Sequence, residues 1–352
     1  YINNAPNPKL RWEKTRDVKV ALDFGLWKDR INGIVEAYWR KSKDCVTSEY
    51  VPVTTGFFNQ SYNTSVLQNN GVEFSLSVAV LKSKDYNLSV SANVAWNQNK
   101  LKKYNSPNTS LALDKYVGYP MGAVFSGKYE GIDPETGMYK FKLRPDAVTN
   151  KDGYLREPNN YYYYLGTSVA PFTGGFNLNF SYKNIGLSVG GSYSVKAKMV
   201  DNIESPAGYE LLSGSKLESI PTPHNDLYRN HLNVKREVRN RWTPENRTGV
   251  KYPRLIDAYG KKLGLDLTNP TLTTITRGAL LEDISYLQIN TIALSYSLPQ
   301  RVLERINFSS AALNLTLNNF FTITKYSGID PEVPGATYPV SRSVTIGLNV
   351  GF

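Results

Sequence analysis

The chain holds a single cysteine, Cys45, and two histidines, His224 and His231. One thiol excludes an intrachain disulfide and a cysteine-based metal cluster. Two isolated histidines are too few for a histidine metal site and read as polar residues of a hydrophilic loop. Long apolar runs are missing as well. No stretch of about 18 uninterrupted apolar residues occurs, which excludes a helical membrane protein. Nucleophile motifs, a phosphate-cradling Gly-rich loop and metal-ligand spacings are absent, so no catalytic or metal-binding residue is assigned. Acidic residues are outnumbered, 30 against 41 Lys and Arg, giving a net charge of +11. The basic residues form no stripe and no nucleic-acid motif, which argues against nucleic acid as a partner. Anionic lipid headgroups or an anionic partner explain the excess as well.

What is present in quantity is Tyr (25 residues), Gly (26) and Asn. The closing stretch shows how they are used. Val344, Ile346, Leu348, Val350 and Phe352 fall on one strand face, and Thr345, Gly347, Asn349 and Gly351 on the other. A strand apolar outside, small and polar inside, and closed by an aromatic at the water boundary suits a transmembrane β-barrel.

The pattern recurs. Val18, Val20, Leu22 and Phe24 oppose Lys19, Ala21 and Asp23; Ile31, Gly33, Val35, Ala37 and Trp39 oppose Asn32, Glu36 and Arg40. Val72 to Val80, Leu88 to Trp96, Phe176 to Tyr182 and Leu187 to Val195 repeat the alternation. Leu287 and Ile289 share one phase and Ile292, Leu294 and Tyr296 the other, so a β-bulge is expected at Asn290-Thr291. Leu313, Leu315 and Leu317 lead into the closing strand. These are nine strands, with two more conceivable in 117–144. Short turns join one set of ends, at 25–30, 82–86, 183–186 and 298–307. Long loops join the other, at 41–66, 102–173, 197–283 and 325–342. Leu298 to Ile306 is expected to form a short helical turn. The fold class is therefore all-β: an antiparallel barrel portion in the outer membrane, long loops extracellular, C-terminus periplasmic.

Two segments repeat, Lys128-Tyr129-Glu130-Gly131-Ile132-Asp133-Pro134-Glu135 and Lys325-Tyr326-Ser327-Gly328-Ile329-Asp330-Pro331-Glu332. Asp-Pro begins a turn well. A Ca²⁺ site at Asp133 or Asp330 is the sharper reading, although the spaced oxygen ligands of such loops are lacking. Tyr161, Tyr162, Tyr163, Tyr164 and Trp242 lie in outer loops. They face substrate or a partner, or they brace the loops. Lys235, Arg236, Arg239, Arg241 and Arg247 form a solvated loop face or meet an acidic partner. Glu36 and Glu73 are candidates for lumenal charge, each expected to pair with a neighbouring Lys or Arg.

Several segments, in their order along the chain, form a combination more specific than the alternation. They are Asn7-Pro8-Lys9-Leu10-Arg11-Trp12-Glu13-Lys14-Thr15, Leu22-Asp23-Phe24-Gly25-Leu26 and Asn70-Gly71-Val72-Glu73-Phe74. Arg241-Trp242-Thr243-Pro244-Glu245-Asn246, Tyr252-Pro253-Arg254-Leu255 and Ser285-Tyr286-Leu287-Gln288-Ile289 follow, then Asn318 through Glu332 and Tyr338 through Phe352. Together they resemble the C-terminal half of SusC/RagA-like TonB-dependent outer-membrane transporters of Bacteroidota, and the resemblance implies a plugged barrel of roughly 22 strands. It implies import of oligosaccharides or peptides under a SusD-like surface lipoprotein, energised through TonB, in contact with outer-membrane lipid and lipopolysaccharide. Phe352 resembles the barrel-assembly signal. On this reading residues 1–352 are the C-terminal barrel part, and the plug, the TonB-contacting segment and the first barrel half lie elsewhere. Tyr1 opens no signal peptide, so the chain is expected to be a piece of something longer or a processed product. The alternative is a self-contained passive porin or adhesive barrel, which an even, self-closing set of strands would mark. An enzyme would need a Ser/His pair in an outer loop.

Overall fold

The computed structural model describes residues 4–105, 116–135, 137, 139–147, 160–200, 239–252, 277–334 and 338–352. His224, His231, Lys235 and Arg236 lie outside these. Nine strands form one antiparallel wall. They are β1 (Lys14–Leu26), β2 (Ile31–Tyr50), β3 (Asn59–Lys82), β4 (Tyr86–Tyr104), β5 (Phe172–Tyr182), β6 (Ile185–Val195), β7 (Tyr286–Ser297), β8 (Ser310–Thr324) and β9 (Ser343–Gly351). Within the wall each pairs with its sequence neighbours, and β1 does not meet β9, so among the described residues the wall is open at both edges. Asn4–Ala5 adds a short parallel pairing onto Asn59–Gln60 of β3.

Register turns the alternation of single strands into continuous rows. Leu26, Ile31, Val78, Val90, Leu178, Val189, Ile292, Leu317 and Val344 lie side by side, one per strand, without a polar interruption. One residue along each strand the face reverses. Gly25, Asn32, Ser77, Ser91, Asn177, Gly190, Thr291, Asn318 and Ser343 make an equally unbroken row of small and polar residues. No second sheet packs on the aliphatic rows among the described residues. Val20 is 69% exposed and Ile346 72%. This is a single layer, with no dry sandwich. Its greasy face is left for another apolar phase.

Aromatic residues bound the apolar band. At the short-turn end Tyr86, Tyr182 and Tyr296 line up outward, Tyr86 stacking on Tyr182 at 6.4 Å, and Phe352 meets Phe308 edge-on at 5.1 Å. At the other end stand Trp39, Trp96 and Phe172, the last two directly opposed. On β4 the interval from Tyr86 to Trp96 matches the roughly 9–11 residues of a tilted membrane strand.

The short connections fall where the sequence places them. Trp27, Lys28 and Asp29 turn with φ of 53°, 57° and 58°. The helical turn is α1, Gln300–Arg305. The register slips between Ile289 and Thr291, and Asn290 is the extra residue, its Oδ1 accepting from Ser192 Oγ at 3.0 Å. One loop boundary needs correction. Residues 41–66 are mostly strand, because β2 runs to Tyr50 and β3 starts at Asn59. Both faces are polar there and strict alternation lapses, with register shifts around Cys45, so the segment reads as loop although its backbone stays paired. Segment 117–144 adds no strand to the wall. Ala123–Gly127 pairs with Tyr162–Thr167, and Tyr129–Ile132 with Tyr139–Phe141, as separate two-stranded sheets.

Candidate functional site: the polar trough and the loop end

The hollow of the wall lies on its polar face. A trough of about 770 Å³ crosses β1 to β6, floored by Asp23, Asn32, Ser75, Ser77, Ser91, Asn93 and Asn177. Hydroxyl and amide groups can exchange hydrogen bonds with a hydrated solute without binding it tightly. The sheet folds this way locally because small residues leave room. A Cβ at Gly33 would collide with the Phe24 ring, and one at Gly191 with the Phe176 ring, so these aromatics lie flat on the outward face.

Nearer the long-loop end of β1 and β2 the polar face carries paired charge. Arg40 Nη2 lies 2.7 Å from Asp17 Oδ2, and Lys19 Nζ 2.8 Å from Glu36 Oε1. Glu36 thus takes the partner expected of it. Glu73 sits directly opposite Glu36 across the register and forms no ion pair among the described residues. Of the two lumenal-charge candidates, only Glu36 is matched by an ion pair among the described residues.

The aromatics of the long loops are mostly engaged with protein. Tyr164 packs with Tyr119 at 4.9 Å and with Phe125 at 5.7 Å, and burial pushes its phenol pKa up. Tyr163 Oη donates to the Leu143 carbonyl at 2.8 Å. Tyr161 and Tyr162 are half-buried. Trp242 is 8% exposed, and its indole N–H donates to the Pro134 carbonyl at 2.9 Å. It braces the first of the two repeated turns. The repeats are structurally alike: Asp133 Oδ1 accepts the Glu135 N–H and Asp330 Oδ1 the Glu332 N–H, each at 2.8 Å. Each Asp therefore closes its own turn. Among the described residues no three His, Cys, Asp or Glu side chains converge as metal ligands.

Sequence reasoning passed over Gln288. It is 3% exposed, and its Oε1 finds no hydrogen-bond partner among the described residues. It borders a cavity of about 880 Å³ that Asp330, Ser341 and Arg342 also line. Nothing in the alternation distinguishes a lumenal Gln with a partner from one without, so only the packing reveals it.

A one-layer, open, two-faced wall with aromatic margins is a segment of an outer-membrane β-barrel. The comparisons narrow this class. No family model matches the chain. The TonB-dependent receptor P26 of Formosa agariphila is 25% identical over 386 residues, covering 100% of this chain and 36% of its own. The TonB-dependent receptor SusC of Bacteroides thetaiotaomicron is 25% identical over 371 residues, covering 98% and 32%. The closed-closed RagAB peptide importer superposes with TM-score 0.76 at 26% identity, covering 99% of this chain and 36% of that one. Its open-open state gives 0.73 at 26% identity, with 100% and 36% covered. The chain is similar along its entire length to TonB-dependent transporters of the SusC/RagA type, and it spans about a third of the length of these relatives. By name these relatives are receptors and a transporter, which fits the expectation of a chain that is no enzyme.

Proposed function

We propose that this chain is the C-terminal barrel part of an outer-membrane active importer for oligosaccharides or peptides. The observation that carries the reading is the pair of continuous rows on a wall open at both edges. Unpaired ladder groups at an edge inside hydrocarbon cost several kcal/mol each. Strands β1 and β9 therefore join the remaining plug-and-barrel half of one larger barrel. Among the described residues the wall is an odd, open set of nine strands, which speaks against the self-contained passive barrel. Long connections face outside and Phe352 the periplasm, as in other outer-membrane barrels. A SusD-like lipoprotein lids the loop end, and TonB acts through the part beyond this chain. The likeness to a peptide importer favours peptide cargo.

The test is uptake by cells carrying the full-length protein. Collapsing the proton gradient should abolish accumulation of labelled oligopeptide or oligosaccharide, and a lipoprotein should co-purify in mild detergent. Gradient-independent uptake by a lone species would return the reading to a porin.

A further inference from the structure

We propose that the outward face of β1, β2 and β4, above the apolar band, binds the phosphate groups of an outer-leaflet glycolipid of the lipopolysaccharide type. The proposal rests on the orientation given above, with long connections outside.

The residues are Lys14, Arg16, Lys41, Lys43 and Lys100. Register sets Lys14 opposite Lys43 and Arg16 opposite Lys41, and Gln68 joins Lys41 to Lys100. All five share the phase of Val18, Val20, Trp39 and Trp96, so they point away from the lumen. They stand just beyond Trp39 and Trp96, at headgroup level. Like charges directly opposite one another in an antiparallel pair are destabilising. Here two successive outward rungs carry them.

The interleaved lumenal rungs between β1 and β2 do not, and the one like pair on that face, Glu36 opposite Glu73 on β3, has Lys19 beside it. There Thr15 Oγ1 and Ser42 Oγ share a hydrogen bond at 2.8 Å, Asp17 pairs with Arg40, and Lys19 with Glu36. The acids that flank the patch in sequence are occupied: Glu13 Oε1 accepts the Val46 N–H at 2.7 Å, and Asp44 pairs with Arg11 at 3.0 Å. None of the five cations forms an ion pair among the described residues. An anion from outside the chain completes this arrangement. Opposed Cβ atoms about 5 Å apart, on rungs about 7 Å apart, bring four cationic heads within reach of one phosphorylated headgroup. The patch looks sideways, along the plane where lipid lies, and charge-assisted bonds to phosphate oxygens suit Arg and Lys alike. Each such cation is worth about fivefold in affinity for an anionic lipid surface.

The test uses the full-length protein, extracted from its own outer membrane in mild detergent and examined by native mass spectrometry. The fourfold variant Lys14→Gln, Arg16→Gln, Lys41→Gln, Lys43→Gln should retain at least tenfold less phosphorylated glycolipid than the wild type. Lys82→Gln, Lys84→Gln at the short-turn end should retain the wild-type amount. Heat-modifiable migration on gels confirms that both variants fold. Unchanged retention overturns the proposal, and so does equal loss in both variants. Competition by millimolar inorganic phosphate, with added lipopolysaccharide having no effect, would assign the patch to free phosphate and also overturn it. Thr54→Cys in the β2–β3 connection should react with an impermeant maleimide on intact cells, against the buried Cys45. No reaction sinks the orientation itself; reaction with unchanged lipid retention sinks only the lipid site.

Discussion

On the lumenal side of β1 and β2, Asp17 lies 2.7 Å from Arg40 and Lys19 2.8 Å from Glu36; on the outward side Lys14 faces Lys43 and Arg16 faces Lys41. Between these outward cations and the short-turn end, the outward face carries no charge until the turn itself, only Val18, Val20, Leu22, Phe24 and Leu26 on β1. One hairpin therefore meets three media. Water in the bore tolerates charge of both signs, and local pairing keeps it balanced. Hydrocarbon tolerates none. A headgroup layer with negative charge accepts an excess of one sign. The backbone ladder is the same throughout, so the side chains alone record which medium lies beside each rung.

The largest break in that contrast should come from moving one charge by one residue. Val78 belongs to the central aliphatic row, and Ser77 to the polar row beside it. Val78→Arg is expected to destabilise the barrel by about 2–4 kcal/mol, and Ser77→Arg by much less, as read from urea unfolding of the full-length protein in lipid vesicles. Equal losses would mean that the two faces do not differ in solvent. A smaller effect is expected from Gly33→Val, which forces the Phe24 ring off the outward face and costs about 1–3 kcal/mol by the same assay. Gly190→Val on the lumenal row meets nothing within 4 Å and should be milder.

Most of the wall was legible because its signal has period two and every rung repeats it. Nine strands and the slip at Asn290 follow from phase alone, and the helical turn at Gln300–Arg305 from the segment Leu298 to Ile306 between two strands. Phase fails where both faces meet water. That is why β2 and β3 extend through residues that read as a loop, and why Thr47, Thr64 and the buried Glu49 went unremarked although they form a hydrogen-bonded cluster with Tyr104. The opposed cations were invisible for another reason. Lys14 and Lys43 are 29 positions apart, and their opposition is a property of register, which no single strand's pattern states. Trp242 illustrates the same gap in the loops. A Trp in a hydrophilic stretch reads as exposed, whereas its indole is capped by the Pro134 carbonyl.

The lumenal pairs should matter less to stability than to the field in the bore. Exposed pairs of this kind contribute little net free energy, because water solvates the separated ions nearly as well. Removing Glu73, which faces Glu36 and forms no ion pair among the described residues, should not lower the unfolding midpoint. Glu73→Gln should instead raise the uptake of anionic over cationic test peptides, since it deletes an acidic point from the wall. A fall in the midpoint with no change in that preference would make Glu73 structural.

The smallest effect is expected outside the wall, at a pair of opposite sign held within one loop. Arg144 Nη2 lies 2.7 Å from Asp146 Oδ2, and the hydrogen bond from Arg144 holds the Asp146 carboxyl below the usual carboxylate range. A carboxyl depressed in the folded state stabilises that state above its unfolded pKa, and the contribution disappears as pH falls through the folded value. At neutral pH the pair is therefore complete. It should persist on acidification through the ordinary Asp range and dissolve only below it. A carboxyl ¹³C titration of Asp146 in the full-length protein reads this directly, and Arg144→Gln should move the midpoint upward. Both groups are open to solvent, so no change in global unfolding should accompany it. A midpoint that ignores the Arg144 substitution would show that the loop, unlike β1 and β2, does not set its charges by their partners.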